Sequence, residues 1–123
     1  MSVNGLNTSL SGLWANQFRQ DVTANNIANV NTDGFKASTV QTADAGYIND
    51  IGQGTRVTGT YAPSRPGPVA ADTAAPGGVR ELSNTDLVTE MTNQRAAQHA
   101  YGANIAMMQT ADQASETLLD LKR

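Results

Sequence analysis

Over residues 3–27 the apolar positions are Val3, Leu6, Leu10 and Leu13, then, past Gln17 and Gln20, Ala24 and Ile27. This is heptad spacing with two glutamines in the seam, and it predicts an amphipathic helix about 40 Å long. Trp14, Phe18 and Val22 form a second row, rotated around the same helix. Two apolar rows on one helix predict two neighbours.

A second long helical pattern closes the chain. Leu87, Met91, Tyr101, Ile105, Met108 and Leu119 share one face, with Gln94, Gln98 and Asp112 intruding. Ala96, Ala100, Ala103, Met107, Ala111, Ala114, Leu118 and Leu121 share another. Ahead of the helix, Ser83-Asn84-Thr85-Asp86 fits a capping box with Asp86 in the role usually taken by Glu. Asp86 and Glu90 suit the positive end of the helix dipole, and Lys122 and Arg123 suit the negative end. Between Ala96 and Ala111 no charged residue stands apart from whatever charge His99 carries. About four turns therefore lack the solvated face of an ordinary surface helix.

A helix with a large-residue face and a small-residue face needs packing on two sides, but the chain supplies only one other helix. The second partner is expected from another molecule. Small residues let helices approach closely and glutamines can hydrogen-bond across the contact. Such association is open-ended when the contact is head-to-tail and does not close into a ring.

Between the helices the pattern changes. Thr39-Val40-Gln41 and Thr55-Arg56-Val57-Thr58-Gly59-Thr60-Tyr61 are rich in β-branched residues, partly alternate and are punctuated by Gly52 and Gly54, which predicts short strands or extended arms. All four prolines fall within residues 63–78 among glycines and alanines, the composition of a semi-rigid linker without its own core.

The junction between the first helix and the strands reads Ala-Asn-Asn-Ile-Ala-Asn-Val-Asn-Thr-Asp-Gly-Phe-Lys over residues 24–36. Side chains of Asn25, Asn26, Asn29 and Asn31 compete for backbone hydrogen bonds. Gly34 can take the left-handed conformation that closes a last helical turn, after which the chain leaves extended at Phe35. Asn29, Asn31, Asp33 and Gly34 also match the first half of a calcium loop, but Val40 stands at the twelfth position, where a bidentate Glu is needed. No metal and no cofactor is expected.

Composition narrows the function classes. In 123 residues only 5% are aromatic and 15% charged, which is little material for a compact globule. A formal net charge of -3 with scattered basic residues argues against a nucleic-acid partner. The absence of cysteine excludes a disulfide scaffold, a zinc-thiolate site and thiol catalysis. No signal peptide and no transmembrane stretch is visible, so by itself the sequence reads as cytoplasmic. His99 is the lone histidine, Asp112 sits in an apolar stripe, and Gly52-Gln53-Gly54 lacks the ending of a phosphate loop. No nucleophile, base and orienting group form a set, so no enzymatic activity is expected.

The asparagine stretch at 24–36 resembles the N-terminal signature of the bacterial flagellar axial proteins, the rod, hook and hook-associated subunits. Leu82-Ser83-Asn84-Thr85-Asp86-Leu87 with the long Gln- and Ala-rich helix that follows resembles their C-terminal segment. The resemblance implies a mainly α fold. Long N- and C-terminal helices pair as a coiled-coil-like hairpin, with a short extended or β central region and a Pro/Gly-rich linker between them. It divides the chain into residues 1–36, the N-terminal axial helix and asparagine motif, 37–79, the arm and linker, and 80–123, the C-terminal axial helix. The implied function is a structural subunit of the basal-body rod that polymerises through its terminal helices with itself and related rod or hook subunits. Export through the flagellar apparatus without a cleaved signal peptide, to the periplasmic rod, replaces the cytoplasmic reading. The short length is similar to proximal-rod subunits, whereas Asn31-Thr32-Asp33-Gly34-Phe35-Lys36 looks like the distal-rod and hook branches. A hook-type subunit and a soluble helical-hairpin adaptor for a partner helix stand as alternatives. The expected assembly motif is Asn25, Asn26, Asn29, Asn31, Gly34 and Phe35. The expected packing and subunit surface is Leu6, Leu10, Leu13, Trp14, Phe18, Ile27, Leu87, Met91, Ala100, Tyr101, Ala103, Ile105, Met108, Ala111, Leu118 and Leu119.

Overall fold

The computed structural model describes residues 3–122, with the side chain of Val3 outside the described set, as is Arg123. Both long helical patterns form helices: α1 spans Val3–Ala28 and α2 spans Leu87–Lys122. They pack against each other as a hairpin. Between them lie six short strands, β1 (Thr39–Asp44), β2 (Tyr47–Ile48), β3 (Ile51–Gly52), β4 (Thr55–Tyr61), β5 (Val69–Ala71) and β6 (Val79–Glu81).

β1 pairs with β4 antiparallel, from Thr39 opposite Tyr61 to Asp44 opposite Thr55. The register shifts between Gln41 and Thr42, leaving Thr58 as the extra residue of a bulge that bends the ribbon. β2 and β3 continue the same hairpin to its tip, where Asn49 (φ 51°) and Asp50 (φ 63°) make the two-residue turn. Positive φ at both central positions matches the twist of antiparallel strands, and Asn and Asp tolerate it best after Gly. The ribbon runs back along α1. Asn26 holds Ser38, the Arg19 guanidinium donates to Thr42 Oγ1 at 3.0 Å, and Ser11 Oγ accepts from the Thr55 amide at 3.2 Å.

The proline-rich segment is not a bare linker. β5 and β6 pair antiparallel, Val69 opposite Glu81 and Ala71 opposite Val79, around a short 3-10 turn at Pro76–Gly78. Composition could not show this pairing, because the strands are three residues each and owe their alignment to neighbours in space.

The helix seam differs from the one the apolar spacing predicts. Buried on α1 are Ser9, Asn16 and Thr23, seven residues apart, with Ala15 and Asn26 beside them. On α2 the seam is Glu90, Ala97 and Ala111, with Asn104 half-buried at the intervening heptad position. Gly12 lies against Asn104, and a Cβ at Gly12 would stand 2.8 Å from that side-chain amide. Relative to the leucine row, the seam is set back by one residue toward the N-terminus, a rotation of about 100°. The small and polar positions face inward because the hairpin ribbon and α2 both approach α1 closely, and only small side chains leave that room.

Candidate functional site

Two regions carry the features singled out in the sequence: the asparagine junction and the outward faces of the helices. At the junction, α1 ends at Ala28, six positions before Gly34. Its last turn is closed by asparagines. The Asn29 amide reaches Asn25 O at 3.2 Å, and Asn29 Nδ2 donates to the same carbonyl at 2.9 Å. Gly34 does adopt the left-handed conformation (φ 72°), but in the following turn, where the Phe35 amide donates to Thr32 O at 3.2 Å. The expectation that Gly34 caps the helix is corrected accordingly. The helix stops earlier, where the Asn29 carboxamide takes the Asn25 carbonyl.

Asn26 is the most buried large side chain, at 1% exposure. Its Nδ2 donates to Ser38 O at 2.8 Å, and its Oδ1 accepts from Ser38 N at 2.9 Å. The carboxamide thus pairs with one backbone residue as a neighbouring strand would, and it fixes where the ribbon begins its return along α1. Asn25 and Asn31 are exposed, Asn29 and Phe35 are half-buried, and Thr32 Oγ1 donates to Asn29 Oδ1 at 3.0 Å.

The turn after α1 is clamped to the segment before α2. Gly34 N donates to Glu81 O at 2.9 Å, Lys36 pairs with Glu81, and Arg80 lies 3.5 Å from Asp33. Asn84 makes three bonds to two other segments of chain at once: its backbone amide donates to Phe35 O, its Oδ1 accepts from Ala37 N at 2.6 Å, and its Nδ2 donates to Arg65 O at 3.0 Å. A Cβ on Gly67 would collide with the Leu82 carbonyl oxygen, so the close crossing there requires glycine. The role of Asn84 was not legible in the sequence, since its partner Ala37 is 47 residues away.

Capping of α2 also differs from the expected box. Asp86 is itself the N-cap, accepting from the amides of Val88 at 3.1 Å and Thr89 at 3.5 Å and from Thr89 Oγ1 at 3.0 Å. Ser83 instead turns back on Thr85, accepting its amide at 3.1 Å. The cap lies three positions later than the box predicts because Asn84 is committed to the junction.

These bonds depress two carboxyls. The Lys36 ammonium, then the Gly67 amide, hold Glu81 below its ordinary value of 4.5. The Thr89 hydroxyl, then backbone amides, hold Asp86 below 3.8. Both folded values lie under the unfolded ones, so the stability these groups add is fully present above about pH 4.5 and is lost as the pH falls through the folded values. Acid titration is expected to loosen the junction first, seen as early loss of amide protection at Gly34, Gly67 and Val88. Glu81→Gln with Asp86→Asn should flatten that acid limb; an unchanged limb would assign it to other carboxyls.

The outward faces hold most of the expected packing residues. Trp14 is 71% exposed, and Leu10, Phe18, Leu87, Met91, Ile105, Leu118 and Leu119 are exposed as well. Leu6, Leu13, Ile27, Ala100, Tyr101 and Met108 are half-buried. Leu10, Leu13, Trp14, Gln17, Phe18, Asp21 and Tyr101 line one open groove along α1. The small-residue face divides: Ala111 is buried against α1, whereas Ala103 is exposed. Sequence reasoning missed the tip of the ribbon, where Tyr47, Ile48 and Ile51 are exposed; Asn-Asp between two apolar pairs was the available signal. Among the described residues no helix is long and apolar enough to cross a membrane.

Comparison with known proteins fits the same two regions. Residues 6–36 match the family described as flagella basal body rod protein, and residues 77–121 match the family described as flagellar basal body rod FlgEFG protein C-terminal. The flagellar basal-body rod protein FlgC of Borreliella burgdorferi is 30% identical over 135 aligned positions, covering 88% of this chain and 89% of that relative. With both terminal segments matched in order and a relative aligned over nearly its whole length, the chain belongs to the flagellar basal-body rod protein family.

Proposed function

We propose that this chain is a structural subunit of the basal-body rod that polymerises through the outward faces of α1 and α2, with copies of itself and related rod subunits as neighbours. One observation carries the reading: the hairpin turns small and polar side chains inward and leaves Leu10, Trp14, Phe18, Met91, Leu118 and Leu119 in solvent. A monomer gains nothing from that arrangement, because apolar surface is favourable only when removed from water. Leu10, Leu13, Trp14, Phe18 and Tyr101 line one open groove, and an exposed apolar groove with an aromatic anchor is the form of a protein interface. Passage through the flagellar export apparatus to the periplasmic rod accords with family membership. The FlgC-like relative favours a rod position over the hook.

Substitution of Trp14 by Asp tests the proposal. The side chain is exposed in the subunit, so helix content and stability should stay within about 0.5 kcal/mol of the parent. Incorporation into basal bodies, scored by immunoblot of purified particles from a complemented deletion strain, should fall at least tenfold. Normal incorporation together with normal motility would show that this face meets no other subunit.

A further inference from the structure

The far end of the ribbon is an apolar knob with two faces. Ile48 stands opposite Ile51, so these two share one face, and Tyr47 stands opposite Gly52 on the other. The Tyr47 ring lies across Gly52, 3.6 Å from where a Cβ would be, yet Tyr47 and Ile48 remain 70% and 60% exposed. Asp50, in the turn between the strands, makes no ion pair among the described residues.

A face of opposite charge lies on the first half of α2. Val88, Met91 and Arg95 follow one another at helical spacing and line an open groove with Thr92 and Gln98. Val88 is 74% and Met91 58% exposed. Arg95 is the one charged residue of that groove and makes no ion pair among the described residues. Apolar surface calls for cover at both places, and charge identifies what covers it. The acidic tip suits the Arg95 groove and not the groove at Trp14, which has Asp21 in its lining.

The two places cannot meet within one chain. Gly54 passes over Thr8, which puts the tip beyond Thr8, at the start of α1. Asn104 meets Gly12, and Arg95 precedes Asn104 on α2, so Arg95 lies about 14 Å from the Gly12 level on the junction side. Tip and groove are therefore about 20 Å or more apart along the hairpin. We infer that the ribbon tip docks on the Val88, Met91 and Arg95 face of a second copy, with Asp50 against Arg95 and Ile48 and Ile51 over Met91. Complementary patches at different ends of one molecule make a head-to-tail contact, which repeats from copy to copy. This rests on the rod reading above and adds to it which surfaces of successive copies meet.

Because the chain lacks cysteine, a cross-link reads the contact directly. Ile51→Cys at the tip and Thr92→Cys at the groove are placed on separate copies, co-expressed in a strain without its own copy, and oxidised in isolated basal bodies. A heterodimer is expected. Arg95→Asp on the Thr92→Cys copy sets two carboxylates face to face and should cut the yield at least tenfold. Adding Asp50→Asn to the Ile51→Cys copy removes that clash, keeps a residue that tolerates positive φ, and should return the yield to within about threefold of the parent. A merely structural role for Arg95 would not be rescued by a change at the tip of another copy. Particles that contain both copies but no heterodimer would overturn the contact while leaving the rod reading intact. A yield that Arg95→Asp leaves unchanged, or that Asp50→Asn fails to restore, would also overturn it, since Asp50 would not be what faces Arg95. Absence of the chain from the particles would refute the rod reading itself.

Discussion

Asn26→Asp is expected to unfold the junction more severely than any other single-atom-scale change in the chain. The carboxamide gives and accepts one hydrogen bond with Ser38 in a site that is 1% exposed. Asp keeps the acceptor but removes the donor, so an anionic oxygen would face Ser38 O, two acceptors in a dry site. Leaving a buried polar group unsatisfied costs about 1–3 kcal/mol, and more when it is charged. Asn26→Ala should cost about 1–3 kcal/mol by leaving Ser38 unpaired. Urea denaturation should rank the parent above Ala and Ala above Asp at neutral pH, and exchange of the Ser38 amide should accelerate first. Equal stability of all three would show that the Ser38 pairing does not anchor the ribbon.

Ala111→Leu and Ala103→Leu should separate the inner from the outer small-residue face. Ala111 is 2% exposed against α1, where added methylenes meet a packed seam, so the hairpin should lose about 1–3 kcal/mol. Ala103 is exposed, so the same change there should leave the subunit folded and act only where another subunit approaches. Thermal unfolding of the purified subunits should fall for Ala111→Leu alone, while basal-body incorporation should fall for both. A stable Ala111→Leu subunit would mean that the helices separate without cost at that level. Normal incorporation of Ala103→Leu would free that face from assembly.

The inverted seam ties the fold to its proposed role. A hairpin closed by Ala15, Ala97 and Ala111 with Ser9, Asn16 and Thr23 buries little apolar surface, and its stability within one chain is correspondingly small. Much of the order then comes from the polar junction at Glu81, Asn84 and Asp86, whose bonds specify geometry more than they add energy. On the proposed reading, such a subunit would gain most of its apolar burial from its neighbours, and binding would then contribute directly to its stability.

The sequence by itself determined the two helices, their approximate ends, strands β1 and β4, and the family, because each rests on local periodicity or on a contiguous motif. Helical periodicity also identified Leu10, Trp14 and Leu118 on faces needing cover. That the helix partner in the same chain leaves them uncovered, only the tertiary structure decided. The rule that apolar faces turn inward assumes a molecule that folds alone, and here the close approach of ribbon and α2 to α1 admits only small side chains. Glu90 illustrates the same limit: helix-dipole reasoning placed it near the start of α2, but its burial depends on α1 and β1, far away in the chain. Asn26, Asn84 and Gly67 likewise gain their roles from contacts across 12 or more residues, where no local pattern carries the information.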